Sequence, residues 1–284
     1  MRVKLYVKSP CTVSEGPRWS AAERSLYWVD VTRGAYLRHR DGAAETEYEE
    51  VNPGLGKIGA LVVRPQGRLW LFTSGCRVWE CVFGAMPELK FTLEGHADRR
   101  FNDVWQDGAW CFCGVAAENG RPGELWRMSS DGEFTCIEPF TAGMPNGMGV
   151  SPDGTTFYFV VSDEKRIYAY AYDRKSGSLS NRHVVADDFA EPGIPDGMCV
   201  DPADGSLLIA FWDGARIERR GSGGCLLGTL RFPMPRVTSV ETAGGRIFVT
   251  TANYPRDERR SMETGAGGVF ILDGKEIGWR KYTR

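Results

Sequence analysis

A pattern of two apolar runs joined by a tight turn recurs along this chain. Each copy opens on a small or ligand-type side chain, continues as alternating apolar residues, turns at Gly, Asp or Pro, and returns through aromatic and β-branched residues. The copies start at positions 15, 59, 102, 146, 196 and about 238, so they are 44, 43, 44, 50 and about 42 residues apart. Five copies align readily, and the sixth, VTSVETAGGRIFVTT, aligns loosely. Every copy predicts a strand, a turn and a second strand.

The spacing of these copies is that of a four-stranded propeller blade. One blade cannot bury both faces of its sheet, so six blades must close into a ring. We therefore predict an all-β, six-bladed β-propeller with four antiparallel strands per blade, as a single domain over residues 1–284. The first strand of each blade lines the central channel of such a ring. Glu15, Asn102, Asn146 and Asp196 share one phase of the repeat, so we expect them to converge at one end of the channel.

Charge and composition limit the classes of molecule that the chain is expected to bind. The net charge is −2, the pI is about 6.0, and Lys and Arg are scattered, so neither nucleic acid nor an anionic membrane is a predicted partner. No apolar run approaches membrane-spanning length, and the first residues, MRVKLYVKSPCTV, lack the apolar region of a signal peptide. We expect a cytoplasmic protein that binds a small molecule and has no obligate protein partner.

Cysteine and histidine chemistry is not expected at the functional site. Eight Cys in 284 residues make no dense disulfide framework, and the close pair Cys111 and Cys113 lacks the C-x-x-C spacing of a metal site. Most cysteines are expected to be reduced and buried. The three histidines are His39, His96 and His183, with His96 expected in a loop, and neither a G-x-S-x-G nor an H-E-x-x-H motif occurs. These observations disfavour a serine triad and a histidine-bound zinc site.

Three residues of the repeat carry oxygen side chains on a constrained backbone. Glu15 is followed by Gly-Pro, although on its own it also fits a surface turn. Asn146 and Asp196 stand in matching P-[ND]-G-M units, whereas the hairpin turns are expected further on, at the D-G pairs 153–154 and 204–205. Two carboxylates and an amide, without Cys or His, make a hard oxygen site suited to calcium, magnesium or manganese. Zinc or ferrous iron also fits if water fills the remaining positions.

Gly59 in the second copy and the arginine pair before Asn102 in the third copy suggest how a ligand enters the channel and is bound there. Gly59 replaces the ligand-type side chain in the second copy, so that blade contributes space, backbone approach or an opening for substrate. Arg99 and Arg100 stand three and two positions before Asn102 in the third copy. An arginine at the channel mouth binds hydroxylated or carboxylated ligands through its planar fork. A solvated arginine on a loop is the equal alternative.

Several pieces of the chain resemble one known family. In order, they are SEGPRW with LYWVD, RRFND, PNGMGVSPDGTTFY, IYAYAYD, IPDGMCVD, AFWDGARIERR, PRVTSV and GAGGVF. Together they resemble the senescence marker protein, gluconolactonase and luciferin-regenerating enzyme (regucalcin-like) family over essentially the whole chain. The resemblance implies a six-bladed propeller with one divalent cation, calcium first among the candidates, held by Glu15, Asn146 and Asp196.

The resemblance also implies which residues bind substrate. Arg100 and Asn102, in R-x-N-D, would contact a sugar lactone, although in related phosphotriesterase-like propellers an Asn near this place binds metal. Asp103 follows as a support for the site. Glu118 lies near a further substrate contact of the family, and Asn119 is an equal candidate for that contact.

The chain departs from the family pattern at three places. Val104 stands where Gly is usual, Val161 stands where an Asp usually precedes Ser162, and ETAGG near position 243 replaces F-G-G. None of these changes removes an implied metal ligand. They bear on the shape of the pocket and hence on the substrate.

The reaction implied is hydrolysis of an aldonolactone to its open acid. The cation would polarise the lactone carbonyl, Asp196 would accept a proton from the attacking water, and Arg100 with Asn102 would hold ring hydroxyls. Two alternatives stay open: the same metal acting on a phosphotriester or another ester, and a calcium-binding propeller without catalysis.

Overall fold

A computed structural model describes residues 3–141, 143–255, 257 and 263–273. These residues form six four-stranded antiparallel sheets, which confirms the predicted all-β, six-bladed propeller. Blade 1 contains β2 (Ser14–Ser20), β3 (Ser25–Asp30), β4 (Ala35–Arg40) and β5 (Glu49–Val51). Blade 2 contains β6 (Ile58–Val63), β7 (Arg68–Thr73), β8 (Arg77–Val82) and β9 (Glu88–Thr92). Blade 3 contains β10 (Phe101–Asp107), β11 (Trp110–Val115), β12 (Gly123–Ser129) and β13 (Phe134–Thr141). Blade 4 contains β14 (Pro145–Val150), β15 (Thr156–Val161), β16 (Arg166–Asp173) and β17 (Ser178–Ala186). Blade 5 contains β18 (Ile194–Val200), β19 (Leu207–Trp212), β20 (Arg216–Arg220) and β21 (Leu226–Arg231). Blade 6 contains β22 (Val237–Ala243), β23 (Arg246–Thr251), β24 (Val269–Asp273) and β1 (Lys4–Val7). The single domain over 1–284 stays a prediction, because residues 274–284 lie outside the described part.

The first strand of each blade lies innermost in the ring. These six strands, β2, β6, β10, β14, β18 and β22, contact one another in cyclic order, and β22 closes the circle against β2. Each of the six repeat starts lies on one of them, including the loosely aligned copy at 238, which falls on β22. The period of the apolar pattern therefore located the channel-lining strands correctly.

The second strand of each blade is packed on both faces. Ser25–Asp30 is buried at every residue, and Thr156–Val161 is buried at all but its first. A strand between two neighbouring sheets has no solvent face, so its sequence reads as a continuous apolar run rather than an alternating one. This burial accounts for runs such as SLYWVD and LLIAFW.

The hydrophobic core is divided among the interfaces between blades. The described residues form six apolar clusters, and each cluster joins two neighbouring blades around the ring. Tyr27 of blade 1 packs with Leu61 of blade 2, and Phe112 of blade 3 packs with Phe157 of blade 4 at a ring-centroid distance of 4.4 Å. Six lateral cores leave the axis of the ring open for polar side chains.

The ring is closed by pairing between distant parts of the chain. Strand β1 is the outermost strand of blade 6, where Lys4 pairs with Ile271 and Leu5 with Phe270. Val7 packs in the apolar cluster between blades 6 and 1. The apolar repeat alone does not reveal this pairing, because β1 lies before the first copy.

The turn and cysteine predictions hold in the described residues. Gly154 and Gly205 adopt φ of +72° and +73° in the hairpins that follow β14 and β18, where the glycine relieves the strain of positive φ. All eight cysteines are free; six are buried, while Cys136 and Cys225 are exposed. His96 lies in a loop, as predicted. Within the described residues, no helix has the length and apolar character needed to cross a membrane.

Candidate active site at one end of the channel

The predicted convergence of four polar residues is observed. Glu15 on β2, Asn102 on β10, Asn146 on β14 and Asp196 on β18 all line one cavity of about 410 Å³. Glu15, Asn146 and Asp196 are 8%, 6% and 6% exposed, so their polar atoms are largely removed from water. Arg100 lines the same cavity. The shared position in the repeat thus correctly predicted that residues up to 181 positions apart (15 to 196) line the same cavity.

A bulge accompanies each of these residues. The strand register shifts between Glu15 and Arg18, and equivalent shifts occur at 101–104, 145–148 and 195–198. A bulge bends a strand and re-aims its side chains. The Gly and Pro residues around each ligand-type position are the sequence signal of these bulges, since glycine within a strand often marks one.

The glycines of the P-[ND]-G-M units let neighbouring inner strands approach closely. A Cβ on Gly147 would lie 2.2 Å from the backbone nitrogen of Met198, and one on Gly197 would lie 2.3 Å from the Ser239 Oγ. Gly59 has the same function, because its Cβ would lie 2.1 Å from a backbone oxygen of blade 3. Of the alternatives considered for Gly59, the structure thus favours backbone approach, and Gly59 does not line the cavity.

Asn146 is oriented by a chain of hydrogen bonds across three blades. Its Nδ2 donates to Ser162 Oγ at 2.9 Å, and Ser162 Oγ donates to the Pro195 carbonyl oxygen at 2.7 Å. From the other side, Asn102 Nδ2 donates to the Pro145 carbonyl oxygen at 2.9 Å and lies 3.4 Å from Asn146 Oδ1. The Asn146 amide is therefore held through its nitrogen by Ser162 and through its oxygen by Asn102.

Arg100 is held beside Asn102 by two side chains. Its Nη1 donates to Asn102 Oδ1 at 2.7 Å, and its Nε donates to Glu118 Oε1 at 2.8 Å. Lys57 Nζ lies 3.5 Å from the same Glu118 oxygen. Burial alone would raise the pKa of Glu118, but Arg100 and Lys57 hold it below its ordinary value.

Glu118 and Asn119 have different partners. Glu118 contacts Arg100, whereas Asn119 Nδ2 donates to the Asp98 carbonyl oxygen at 3.4 Å on an exposed loop. Glu118 does not itself line the cavity, so its placement is behind Arg100. Asp103 is likewise buried and not among the cavity-lining residues.

Three buried carboxyl groups lie close enough to affect one another. Burial raises the pKa of Glu15 well above its ordinary value, and the charges of Asp196 and Asp103 raise it further. Burial, followed by the charge of Asp103, does the same to the pKa of Asp196. Burial raises the pKa of Asp103 to about 6. Such a cluster favours a bound cation or protons, because like charges in a water-poor site repel strongly.

Few groups in the protein offset this charge. The Gly16 backbone N–H donates to Glu15 Oε2 at 3.1 Å, and the Asn146 amide lowers the pKa of Asp196 by hydrogen bonding. Arg18 lowers the pKa of Glu15, but its Nη1 lies 3.5 Å from Glu241 and is shared with that carboxylate. Arg18 and Arg100 both lower the pKa of Asp103, so Arg18 is shared among several carboxyl groups and Arg100 assists it at Asp103.

The donor set fits a hard divalent cation. Glu15 and Asp196 supply carboxylate oxygens, and Asn146 supplies an amide oxygen, which are the ligand types that calcium and magnesium prefer. Among the described residues, no three His, Cys, Asp or Glu side chains form a metal-binding group. A cation at this place would therefore need the Asn146 amide as its third protein ligand.

The structure adds residues that the sequence did not single out. Ser162 orients Asn146, and Lys57 extends the cationic side of the cavity next to Arg100. Trp212 and Tyr254 form another part of the cavity wall. None of these four residues stands in the phase shared by the predicted ligands, which is why the repeat did not reveal them.

Val104 and Val161, two departures from the family pattern, are both buried away from the cavity. Val104 is 1% exposed and packs in the apolar cluster between blades 2 and 3, while its carbonyl oxygen accepts from Arg18 Nη2 at 2.9 Å. Val161 is 1% exposed at the end of β15. Neither side chain lines the cavity.

Comparisons with known proteins agree with this architecture. The family model of the SMP-30/Gluconolactonase/LRE-like region matches residues 13–273. Pentonolactonase XacC of Haloferax volcanii is 34% identical over 256 residues, covering 89% of this chain and 86% of its own. L-arabinolactonase of Azospirillum brasilense is 30% identical over 248 residues, covering 85% and 81%. A crystal structure of regucalcin, a calcium-binding protein from Agrobacterium tumefaciens, shares the fold at a TM-score of 0.85 and 20% identity, covering 95% and 93%. The chain belongs to the SMP-30/gluconolactonase/LRE-like family.

Proposed function

We propose that the protein hydrolyses a sugar lactone to the corresponding aldonic acid and that it needs one divalent cation to do so. The observation that carries this proposal is the joint placement, on one cavity, of a buried oxygen donor set (Glu15, Asn146, Asp196) and a polar pair suited to hydroxyl groups (Arg100, Asn102). Lactonase activity in two relatives that match most of the chain supports the substrate class.

The protein side chains have distinct roles in this reaction. Asp196 accepts the proton of the attacking water at a carboxylate oxygen, a role suited to a carboxylate whose pKa burial has raised. Arg100 and Asn102 donate hydrogen bonds to ring hydroxyls and so position the carbonyl carbon. Glu118 keeps the Arg100 guanidinium in place through its 2.8 Å contact. Asp103 lies behind these groups and adds to the negative potential that attracts a cation.

A divalent cation, when bound, supplies Lewis-acid polarisation of the lactone carbonyl and stabilises the negative charge that develops on its oxygen. Glu15, Asn146 and Asp196 are the residues that would hold it. All-oxygen donors favour calcium, with magnesium, manganese, zinc and iron as the other candidates.

The first experiment removes metal and restores it. The purified protein is stripped with chelator, and proton release from gluconolactone, xylonolactone, galactonolactone, a phosphotriester and a simple ester is followed as each of the five metals is returned. We expect one metal to restore hydrolysis well above the uncatalysed rate, and Asp196→Ala to abolish it. If a phosphotriester or simple ester is turned over while no lactone is, the proposal of a lactonase is wrong. If a divalent ion binds and raises the melting temperature without any turnover, the non-catalytic alternative replaces it.

A further inference from the structure

One side of the cavity is aromatic. Trp212, the last residue of β19, and Tyr254, three residues after β23, both line it. Their ring centroids are 6.5 Å apart and their planes are inclined by 46°. Tyr254 is 48% exposed, so a large part of its ring is available to a ligand.

The aromatic pair adjoins the carboxylate assigned to catalysis. Trp212 pairs with Ile194 on β18, two residues before Asp196, and Ile194 also lines the cavity. Cross-strand neighbours on one face of a sheet lie within side-chain contact distance. A ligand whose reacting carbon is near Asp196 would therefore reach the Trp212 ring.

Arg236 holds the two rings in place from behind. Its guanidinium carbon lies 4.7 Å from the Trp212 ring centroid and 5.6 Å from that of Tyr254. Its Nε donates to Asp213 Oδ1 at 2.8 Å. Arg236 itself does not line the cavity, so it braces the rings without competing for the space between them and the site.

The ring topology sets this aromatic side against a cationic one. In a six-membered circle, blades 5 and 6, which carry Trp212 and Tyr254, stand opposite blades 2 and 3. Lys57 directly precedes the inner strand of blade 2, and Arg100 that of blade 3. The cavity therefore has aromatic rings on one side and hydrogen-bond donors on the other.

We propose that Trp212 and Tyr254 form a stacking wall for the carbon–hydrogen face of a cyclic polyol lactone whose hydroxyl groups are bound by Arg100 and Lys57. The inference rests on the proposed function and extends it to the shape of the substrate. An aromatic ring offers a flat apolar surface at low entropic cost, whereas the guanidinium and ammonium groups match hydroxyl oxygens. The wall selects for a closed ring over an open-chain ester, which has no flat face to stack.

The test compares variants of the wall with a matched tryptophan elsewhere. Trp212→Ala, Trp212→Phe and Tyr254→Ala are assayed on gluconolactone and xylonolactone, and binding of D-gluconolactam, an amide analogue, is measured by calorimetry. Trp110→Ala is the control, because Trp110 is also partly buried under an arginine, with Arg127 at 4.7 Å, but lies outside the cavity. Melting temperatures establish that each variant is folded.

We expect Trp212→Ala and Tyr254→Ala each to raise the KM for lactone and the Kd for the lactam about tenfold, equivalent to about 1.4 kcal/mol, with kcat within about twofold of wild type. Trp212→Phe should recover most of the loss, and Trp110→Ala should leave both constants unchanged. The wall is refuted if folded Tyr254→Ala, and Trp212→Ala where it folds, keep wild-type KM and Kd.

The same experiment separates this inference from the lactonase proposal. Lactam binding that depends on Trp212 in a protein that hydrolyses no lactone supports the wall and contradicts the proposed function. Lactone hydrolysis that is indifferent to Trp212 and Tyr254 supports the proposed function and contradicts the wall. A wild-type protein that neither hydrolyses lactone nor binds the lactam contradicts both.

Discussion

The Nδ2 atom of Asn146 donates to Ser162 Oγ at 2.9 Å, and this bond helps to fix the orientation of the Asn146 amide beside the cavity. Ser162 in turn donates to the Pro195 carbonyl oxygen, in the residue before Asp196. One hydroxyl group thus links the Asn146 amide to the backbone next to Asp196, the carboxylate that we propose as a second metal ligand.

Ser162→Ala should weaken metal binding by about tenfold or more, because outer groups that orient a metal ligand commonly contribute a factor of this size. Chelator competition, which needs no substrate, measures the affinity directly. Ser162→Thr keeps the hydroxyl and should restore most of it. Ser151→Ala removes a turn serine that bonds Asp153 away from the site and serves as the control. Unchanged affinity in Ser162→Ala would contradict the orienting role.

Glu15→Gln and Asp196→Asn should separate metal binding from proton transfer. Glu15→Gln removes one of two carboxylate charges and should chiefly lower metal affinity. Asp196→Asn keeps an oxygen for the cation but cannot accept the proton from water, so turnover should fall by about a hundredfold or more at saturating metal. Steady-state kinetics at several metal concentrations distinguish the two effects. Near-wild-type turnover in metal-loaded Asp196→Asn would show that another group is the base.

The pH dependence of stability should carry a contribution from Glu241. Burial raises the pKa of this residue from 4.5 to about 7, and Arg18 offsets only part of that rise. Because the folded-state pKa lies above the unfolded value, the associated stability is complete below about pH 4.5 and is lost as the pH rises through 7.

Glu241→Gln should remove that dependence. In urea unfolding with chelator present, the free energy of unfolding of wild type should fall between about pH 5 and pH 8 by roughly 2 kcal/mol more than that of the variant. The glutamine can still accept a hydrogen bond from Arg18, so a loss of packing is not the expected cause. Parallel pH profiles for the two proteins would contradict the raised pKa.

Arg99 should be important for stability, although it does not line the cavity. Its Nη2 donates to the carbonyl oxygens of Ala116 and Pro122, which lie on either side of Glu118, and its Nη1 contacts Glu124 at 2.5 Å. Arg99→Ala leaves the Glu124 charge without this partner, which should cost about 3–5 kcal/mol in urea unfolding.

Arg121→Ala is the matched control for Arg99→Ala. Arg121 lies in the loop between β11 and β12 that Arg99 contacts, and it pairs with Asp98 at 3.0 Å, but both side chains are exposed. An exposed pair contributes about 1 kcal/mol or less. If the two variants lose equal stability, the hydrogen bonds of Arg99 to the loop are not the reason for its effect.

The sequence-based predictions were accurate where the signal lay within a short stretch of the chain. The inner strands were located because each carries its small or ligand-type residue close in sequence to its turn. Ser162 and Trp212 were missed because their relation to the site depends on contacts between strands, which a linear repeat does not encode. The choice between Glu118 and Asn119 as a substrate contact was open in the sequence and stays a prediction, although the structure places Glu118 against Arg100.

Pairing of Lys4–Val7 with Val269–Asp273 has a consequence for the order in which the protein is made. Glu15 leaves the ribosome early and Asp196 much later, and the ring that carries both is closed only when β24 is available to pair with β1. Contacts so distant in sequence form late in folding. A nascent chain that has not reached residue 273 would therefore carry all of the proposed ligands without a site, and binding competence would be gained in a single step after synthesis rather than blade by blade.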